Sequence, residues 1–435
     1  MNDDAPQERF ETDLRAALAT LARDAVPDTE TLRPVADRPA GAGGQRRPGR
    51  VLVALVAAIA VVALSATVGI VVGHRPVRPA RIESPSPSIS IVPPAPLGPR
   101  ADQMAVFTGR EVIIWGGHYQ PATGTAPPVA SAADPRVPNA LGDGAAFDIV
   151  TARWRRLPTA PITARYGAVA AWTGSEMLVV GGLGAVPAPG NGASVQGAAY
   201  DPAHNRWRRI PDAPVCVSVG VWVRTRLVVG GNCSATPFRL ASFDPHRNAW
   251  TALPDPPDAT QLAAVSGTLY AWNGGANRGA RFDASAGKWF ALPALPEPRS
   301  LDTVAAAFRG NLAVIGPISP TSPGVAVDVL GPGASVWRHF DSGSSSPPAV
   351  PEVASARDVL VWNQGVGYAW IAGDLEAGTV EIAHVANGPA SLDRVSETLL
   401  AIGARRVFVW GGQSIPNGAS GTSQPSADGA ILDLP

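Results

Sequence analysis

Short apolar runs that end in a pair of glycines recur along most of the chain. These pairs stand at 116–117, 181–182, 230–231, 274–275 and 411–412, with weaker versions ending at Gly316 and Gly365. An apolar run such as AVAAW (168–172), followed by a turn and MLVVGG (177–182), is typical of a β-hairpin. Because the landmarks return every 41 to 65 residues, they indicate a repeat protein.

Each of four repeats carries an aspartate and, six positions later, a tryptophan. The pairs are Asp148/Trp154, Asp201/Trp207, Asp244/Trp250 and Asp283/Trp289. An apolar-Pro-x-x-Pro run follows each tryptophan, at 157–161, 210–214, 253–257 and 292–296. We expect the aspartate to cap a turn through backbone amides and the tryptophan to fill the space between neighbouring sheets.

This combination of glycine pairs, Asp/Trp pairs and proline runs resembles the kelch repeat family over residues 87–435. The resemblance implies an all-β fold, a seven-bladed kelch-type β-propeller. Six blades are the alternative, since 299–392 match the repeat poorly. The chain ends at GAILDLP (429–435) before a final outer strand, and 88–92 supply a matching one. An N-terminal strand is therefore predicted to close the ring, which removes open sheet edges.

Residues 51–73 break the repeat pattern with 23 consecutive uncharged residues, of which only Ser65 and Thr67 are polar. This length suffices for a transmembrane helix, and a cleaved signal is the alternative. Five arginines in the preceding twenty residues against three in the following twenty predict a cytoplasmic N-terminus. The propeller would then lie outside the cytoplasm, anchored to the cell membrane by a single pass.

The flanks of this apolar segment differ in character. Residues 1–50 are predicted to be a cytoplasmic tail in which 8–23 form a short amphipathic helix, because Phe10, Leu14, Leu18 and Leu21 share one face. The helix would contact a cytoplasmic partner, and a solvated tail is the alternative. Residues 74–86 are predicted to be a proline-rich linker.

The two cysteines, Cys216 and Cys233, fall on two strands of one predicted hairpin. If Arg224 and Thr225 form the centre of its turn, both cysteines are equally far from it and face each other. A disulfide is predicted on this register, in a compartment that permits oxidation. Another repeat places its turn glycine, Gly267, about one residue earlier, and that register would separate the cysteines.

An arginine recurs at the turn that leads into the innermost strand of a repeat, at Arg100, Arg165, Arg299 and Arg394. Around one mouth of a propeller channel these guanidinium groups would attract anions and suit a carboxylate. Some kelch proteins act on sialic acid, so the resemblance admits an acidic sugar as ligand. The alternative is a structural arginine that bonds turn carbonyls.

Three long segments follow glycine pairs, at 118–143, 183–196 and 413–427, in adjacent blades. Long loops on a rigid scaffold commonly carry recognition. The polar and aromatic candidates for ligand binding there are His118, Tyr119, Gln120, Arg136, Asn139, Asn191 and Gln413. Proline- and glycine-rich disorder is the alternative for these segments.

Composition narrows the functional classes. A formal net charge of zero offers no general attraction to nucleic acid, so no nucleic-acid partner is expected. No nucleophile elbow, zinc spacing or phosphate-binding glycine loop occurs in the sequence. The kelch resemblance includes copper oxidases, but only His118 and Tyr119 form an adjacent loop-borne pair, so we expect no catalytic residue, metal or cofactor.

Three functions follow from these features. The sequence favours a membrane-anchored extracytoplasmic binding or interaction module that binds a protein or carbohydrate ligand on the propeller face. The first alternative is a transmembrane sensor that couples ligand binding to a cytoplasmic partner. The second is an enzyme that acts on an acidic sugar at the channel mouth.

Overall fold

The computed structural model describes residues 87–119, 140–184, 194–232, 237–297, 303–317, 325–341, 397–414 and 425–434. Between 353 and 395 it describes five strands by their backbone alone. The predicted tail, apolar segment and linker lie outside these residues. Within the described ranges, no helix is long and apolar enough to cross a membrane.

The described chain folds as an all-β propeller of four-stranded antiparallel sheets, numbered here one to seven. Sheet one contains β2 (Met104–Phe107), β3 (Glu111–Trp115), β4 (Gly144–Asp148) and β5 (Arg153–Arg156), and sheet two contains β7 (Val169–Trp172), β8 (Met177–Val180), β10 (Gly197–Asp201) and β11 (Arg206–Ile210). Sheet three contains β12 (Val219–Val223), β13 (Arg226–Gly231), β14 (Arg239–Asp244) and β15 (Ala249–Leu253), and sheet four contains β16 (Gln261–Val265), β17 (Thr268–Asn273), β18 (Arg278–Asp283) and β19 (Lys288–Ala291). Sheet five contains β20 (Val304–Phe308), β21 (Asn311–Pro317), β22 (Val325–Leu330) and β23 (Arg338–Asp341), and sheet six contains β24 (Val353–Ser355), β25 (Leu360–Asn363), β26 (Tyr368–Asp374) and β27 (Thr379–His384). Sheet seven contains β29 (Thr398–Ala401), β30 (Arg406–Trp410), β32 (Gly429–Asp433) and β1 (Ser88–Ile91). Two short ladders join β6 (Arg165–Tyr166) to β9 (Leu183–Gly184) and β28 (Arg394–Val395) to β31 (Gln413–Ser414).

The innermost strands of the sheets contact one another in a closed order. β2 touches β7 and β29, and the contacts continue through β12, β16, β20 and β24. The last sheet takes its outermost strand from the beginning of the domain, with Ser88 opposite Asp433 and Ile91 opposite Ala430. The Val92 amide also donates to the Gly429 carbonyl over 2.9 Å. The predicted N-terminal strand closure is confirmed.

The repeated aspartates cap turns as expected. The Oδ1 atom of Asp148 accepts hydrogen bonds from the amides of Val150 and Thr151, at 2.9 and 3.0 Å. Asp201, Asp244 and Asp283 make the corresponding pair of bonds in their sheets. These carboxylates hold the turn between the third and fourth strands.

The repeated tryptophans join neighbouring sheets. Trp207 donates from Nε1 to the carbonyl of Pro158 in the preceding sheet, over 3.0 Å. The same bond recurs in other sheets, from Trp154 to Pro93, Trp250 to Pro211, Trp289 to Pro254 and Trp337 to Pro293. The proline run after each tryptophan thus provides the acceptor for the next tryptophan, which explains why the two features recur together.

We expect the thermal midpoint of unfolding to fall as the pH is lowered from about 4 towards 2. The pKa of Asp148 is lowered to about 2, above all by the hydrogen bond from the Thr151 amide. A carboxyl group whose pKa is lower in the folded state stabilises the fold above its unfolded pKa, and that contribution is lost as the pH falls through the folded value. The pKa values of Asp201, Asp244 and Asp283 are lowered too.

Scanning calorimetry across this pH range tests the expectation. The variant Asp148→Asn keeps an oxygen that can cap the turn but cannot titrate, so its midpoint should fall less steeply than that of the wild type. An equally steep fall in both proteins would show that this carboxyl group does not contribute.

The cysteine-bearing hairpin has the register on which the disulfide was predicted. Val223 pairs with Arg226 across the turn at Arg224 and Thr225, and the pairing runs back to Val219 opposite Gly230. Cys216 is buried, and no cysteine in the described part of the chain is a free thiol. Cys233 lies outside the described residues, so its bridge to Cys216 stays a prediction.

Candidate functional site

The three long segments of sheets one, two and seven are closed at their bases in the same way. The second glycine of each pair accepts a hydrogen bond from the residue that returns from the loop. These bonds run from Leu141 to Gly117, from Ser194 to Gly182 and from Ser426 to Gly412, each over 2.8 Å. The loops therefore start and end at fixed points on the sheets.

The glycine pairs at these loop bases have a backbone conformation that requires glycine. Gly116 and Gly117 have φ values of 72° and 102°, and the pairs in sheets two and seven are also in the left-handed region. A Cβ on Gly116 would also lie 2.6 Å from the carbonyl oxygen of Arg165 in the next sheet. The pairs thus allow two backbones from neighbouring sheets to approach closely.

Backbone hydrogen bonds connect the three loop bases across the sheets. The Gly412 amide donates to the Arg100 carbonyl, and the Gly117 amide donates to the Arg165 carbonyl, both over 2.9 Å. The Gly167 amide donates to the Asp102 carbonyl over 3.0 Å. We call this connected surface the shared rim; its residues are 100–102, 116–119, 165–167, 181–184 and 411–413. It confirms that the three long segments begin beside one another.

The recurring arginines stabilise the rim from within. Arg165 is fully buried and donates to the carbonyls of Thr163 and Gly181 and to Gln196 Oε1, at 2.9, 2.9 and 3.0 Å. Its burial lowers the pKa to about 10, so the guanidinium keeps its charge at neutral pH.

Arg100 occupies the equivalent place in the first sheet. It is also fully buried, donates to the carbonyls of Gly98 and Gly116, and forms an ion pair of 2.9 Å with Asp143. The predicted anion-attracting funnel is therefore wrong for Arg100 and Arg165, because their donors are used inside the fold. Arg394 is described by its backbone, which pairs with Ser414, and Arg299 lies outside the described residues.

Four side chains form a partly exposed patch on the shared rim. His118 Nδ1 lies 3.2 Å from Asp102 Oδ2, and the His118 and Tyr166 rings are 4.8 Å apart between centroids. Leu183, paired with Tyr166 in the short ladder, is 40% exposed. The patch offers an aromatic ring, an aliphatic side chain and a histidine–carboxylate pair, which together suit the side chains of a protein partner.

The sequence candidates divide into two groups. His118 and Tyr119 lie on the rim, and Gln413 lies in β31, where it pairs with Val395. Gln120, Arg136, Asn139 and Asn191 lie outside the described residues. Asp102, Tyr166 and Leu183 were missed; Tyr166 directly follows the recurring Arg165, but only the pairing of β6 with β9 shows that it stands beside His118.

In the described ranges, no group of three or more histidine, cysteine or acidic side chains is placed to hold a metal ion. No protein-family profile matches the chain, and no curated protein is similar to it.

Proposed function

We propose that this protein is an interaction module whose shared rim binds another protein. The observation that carries the proposal is the patch of Asp102, His118, Tyr166 and Leu183 at the bases of three loops that are connected by backbone hydrogen bonds. Aromatic side chains on a rigid support lose little conformational entropy on binding, and such residues dominate protein interfaces.

We further propose a kelch-type propeller that is anchored through 51–73, with the tail in the cytoplasm and the propeller outside it. The recurring glycine, aspartate, tryptophan and proline positions support the kelch assignment, and the uncharged segment supports the anchor. A role of 8–23 in signalling stays a prediction. Arg100 and Arg165 no longer support the alternative of an enzyme that acts on an acidic sugar, because both side chains are buried.

The double variant Tyr166→Ala and Leu183→Asp is expected to weaken binding to a native partner at least tenfold, since removal of central interface residues typically costs about 1 kcal/mol or more each. The partner is first identified by cross-linking of the full-length protein in native membranes. Binding of the purified partner to each variant is then measured by surface plasmon resonance.

Val150→Asp is the matched control, because Val150 is a 76% exposed apolar residue in a turn outside the rim. The control should bind as the wild type does. Equal binding by the double variant and the wild type would contradict the rim proposal, and capture of a polysaccharide in place of a protein would redirect it to a carbohydrate.

A further inference from the structure

A cluster of hydrogen-bonded side chains joins sheets one and two. Arg155 donates from Nε and Nη2 to the two carboxylate oxygens of Glu111, at 2.9 and 2.6 Å. Its Nη1 reaches across to the next sheet and donates to Tyr200 Oη and Asn205 Oδ1, at 2.7 and 3.2 Å. The arginine thus pairs with a carboxylate of its own sheet and also bonds the next sheet.

The interface between sheets two and three repeats the cluster. Arg208 donates to both carboxylate oxygens of Glu176, at 2.8 and 2.7 Å, and to Asn248 Oδ1 of the next sheet at 2.9 Å. The asparagines at this position, Asn205 and Asn248, have φ values of 50° and 48°. We call this arrangement the Glu–Arg–Asn cluster.

All three members of the cluster are replaced between sheets three and four. Arg226 begins the second strand of its sheet, where Glu111 stands in sheet one, and Thr251 follows the tryptophan of the outermost strand, where Arg155 stands. Gly287, with φ of 61°, stands two residues before the next tryptophan, in place of the asparagine. A cation therefore stands where the cluster has its carboxylate, and a threonine and a glycine stand where it has the larger arginine and asparagine.

A cleft of about 710 Å³ lies between sheets three and four. Val228 and Leu269 are buried at its base, and Phe282 and Leu253 line it partly exposed. None of the residues that line the cleft belongs to the shared rim, so an inference about the cleft does not rest on the proposed function of the rim. Small-molecule sites typically have volumes of about 300–1,000 Å³ and mainly apolar walls.

The polar groups of the cleft favour an anion. Three arginines line it, at 224, 226 and 281, against the single carboxylate of Asp283, which already accepts bonds from the Ser285 and Ala286 amides. Arg226 contacts Asp244 through Nη2 at 3.2 Å, and Arg224 donates from Nε to the Gly267 carbonyl. A guanidinium with remaining N–H donors beside an apolar wall suits a carboxylate or sulfonate that has a hydrophobic body.

We propose that the cleft between sheets three and four binds a small organic anion with an apolar or aromatic body. Arg226 bonds the acidic group of the ligand, and the side chains of Leu253, Leu269 and Phe282 contact its body. The site exists because the Glu–Arg–Asn cluster that fills the equivalent space in two other interfaces is absent here.

Binding of 8-anilinonaphthalene-1-sulfonate to the full-length protein, followed by fluorescence, tests the proposal. Naphthalene-2-carboxylate should displace the probe, and the neutral naphthalene-2-carboxamide should do so at least tenfold less well, because it lacks the charge. Arg226→Gln should weaken probe binding at least tenfold. Arg406→Gln is the matched control, since Arg406 begins β30 and forms an ion pair with Asp433 in the same way; it should leave binding unchanged.

A triple variant, Arg226→Glu with Thr251→Arg and Gly287→Asn, rebuilds the Glu–Arg–Asn cluster in the cleft. Asparagine tolerates the positive φ at 287, as it does at 205 and 248. This variant should lose probe binding without a lower thermal midpoint, which separates a filled site from an unfolded protein. The proposal is overturned if the triple variant binds the probe as the wild type does, or if naphthalene-2-carboxylate and naphthalene-2-carboxamide displace the probe equally well. It is also overturned if the wild type binds the probe with a dissociation constant above about 1 mM.

Discussion

Deletion of residues 1–92 is expected to destabilise the propeller strongly, whereas deletion of residues 1–86 should leave its stability unchanged. The longer deletion removes β1, whose residues pair with β32 from Ser88 to Ile91. It also removes Val92, which is buried and donates to the Gly429 carbonyl. We expect the shorter protein to unfold at a midpoint lower by about 10 °C or more, because each lost backbone hydrogen bond costs about 1 kcal/mol and burial of Val92 adds to this.

The second consequence of the longer deletion is an exposed edge. β32 would present unpaired backbone groups, which invite pairing with another chain, so we expect soluble oligomers or precipitate. Circular dichroism with heating and size-exclusion chromatography measure both effects on proteins that begin at residues 87 and 93. If the two proteins unfold at the same temperature and both remain monomeric, ring closure by β1 does not stabilise the fold.

Arg165→Met should lower the free energy of unfolding by about 2–5 kcal/mol, because several buried acceptors lose the donors that the guanidinium provides. Methionine keeps much of the volume but none of the donors. The Gly181 carbonyl would lose the 2.9 Å bond that Arg165 now provides, and Gln196 Oε1 would lose its 3.0 Å bond. Each buried acceptor that is left unsatisfied costs about 1–3 kcal/mol.

Urea denaturation followed by tryptophan fluorescence measures this change. Arg156→Met is the control, because Arg156 is exposed in β5, and its effect should stay within about 0.5 kcal/mol. A loss below about 1 kcal/mol for Arg165→Met would show that the buried guanidinium is not required for stability. Such a result would reopen the question of a ligand-binding role for this arginine.

Local repeats made much of the fold predictable. The Asp148 and Trp154 roles follow from turn chemistry and from the size of an aromatic ring, and both were confirmed by the hydrogen bonds to Thr151 and Pro93. The closure of the ring followed from matching the first strand to the last repeat. Trp337 was not predicted, because no aspartate stands six positions before it. It nevertheless donates the same hydrogen bond to a proline carbonyl.

Identical motifs had different structures where their neighbours differ. Gly116 and Gly117 have positive φ values at a long loop, whereas Gly230 and Gly231 continue a strand. The sequence shows a glycine pair in both places. Only the structure shows that Gly116 has a positive φ and lies close to the Arg165 carbonyl of the next sheet.

The sequence by itself determined the repeat, the strand and turn positions and the closure of the ring, because these depend on residues that are close together or periodically spaced. The tertiary structure alone decided that Arg165 is buried, that Tyr166 lies beside His118, and that a cleft opens beside Arg226. These properties depend on which side chains the neighbouring sheet presents across the interface. Those side chains come from distant positions in the chain, and no local pattern records what they leave exposed or unfilled.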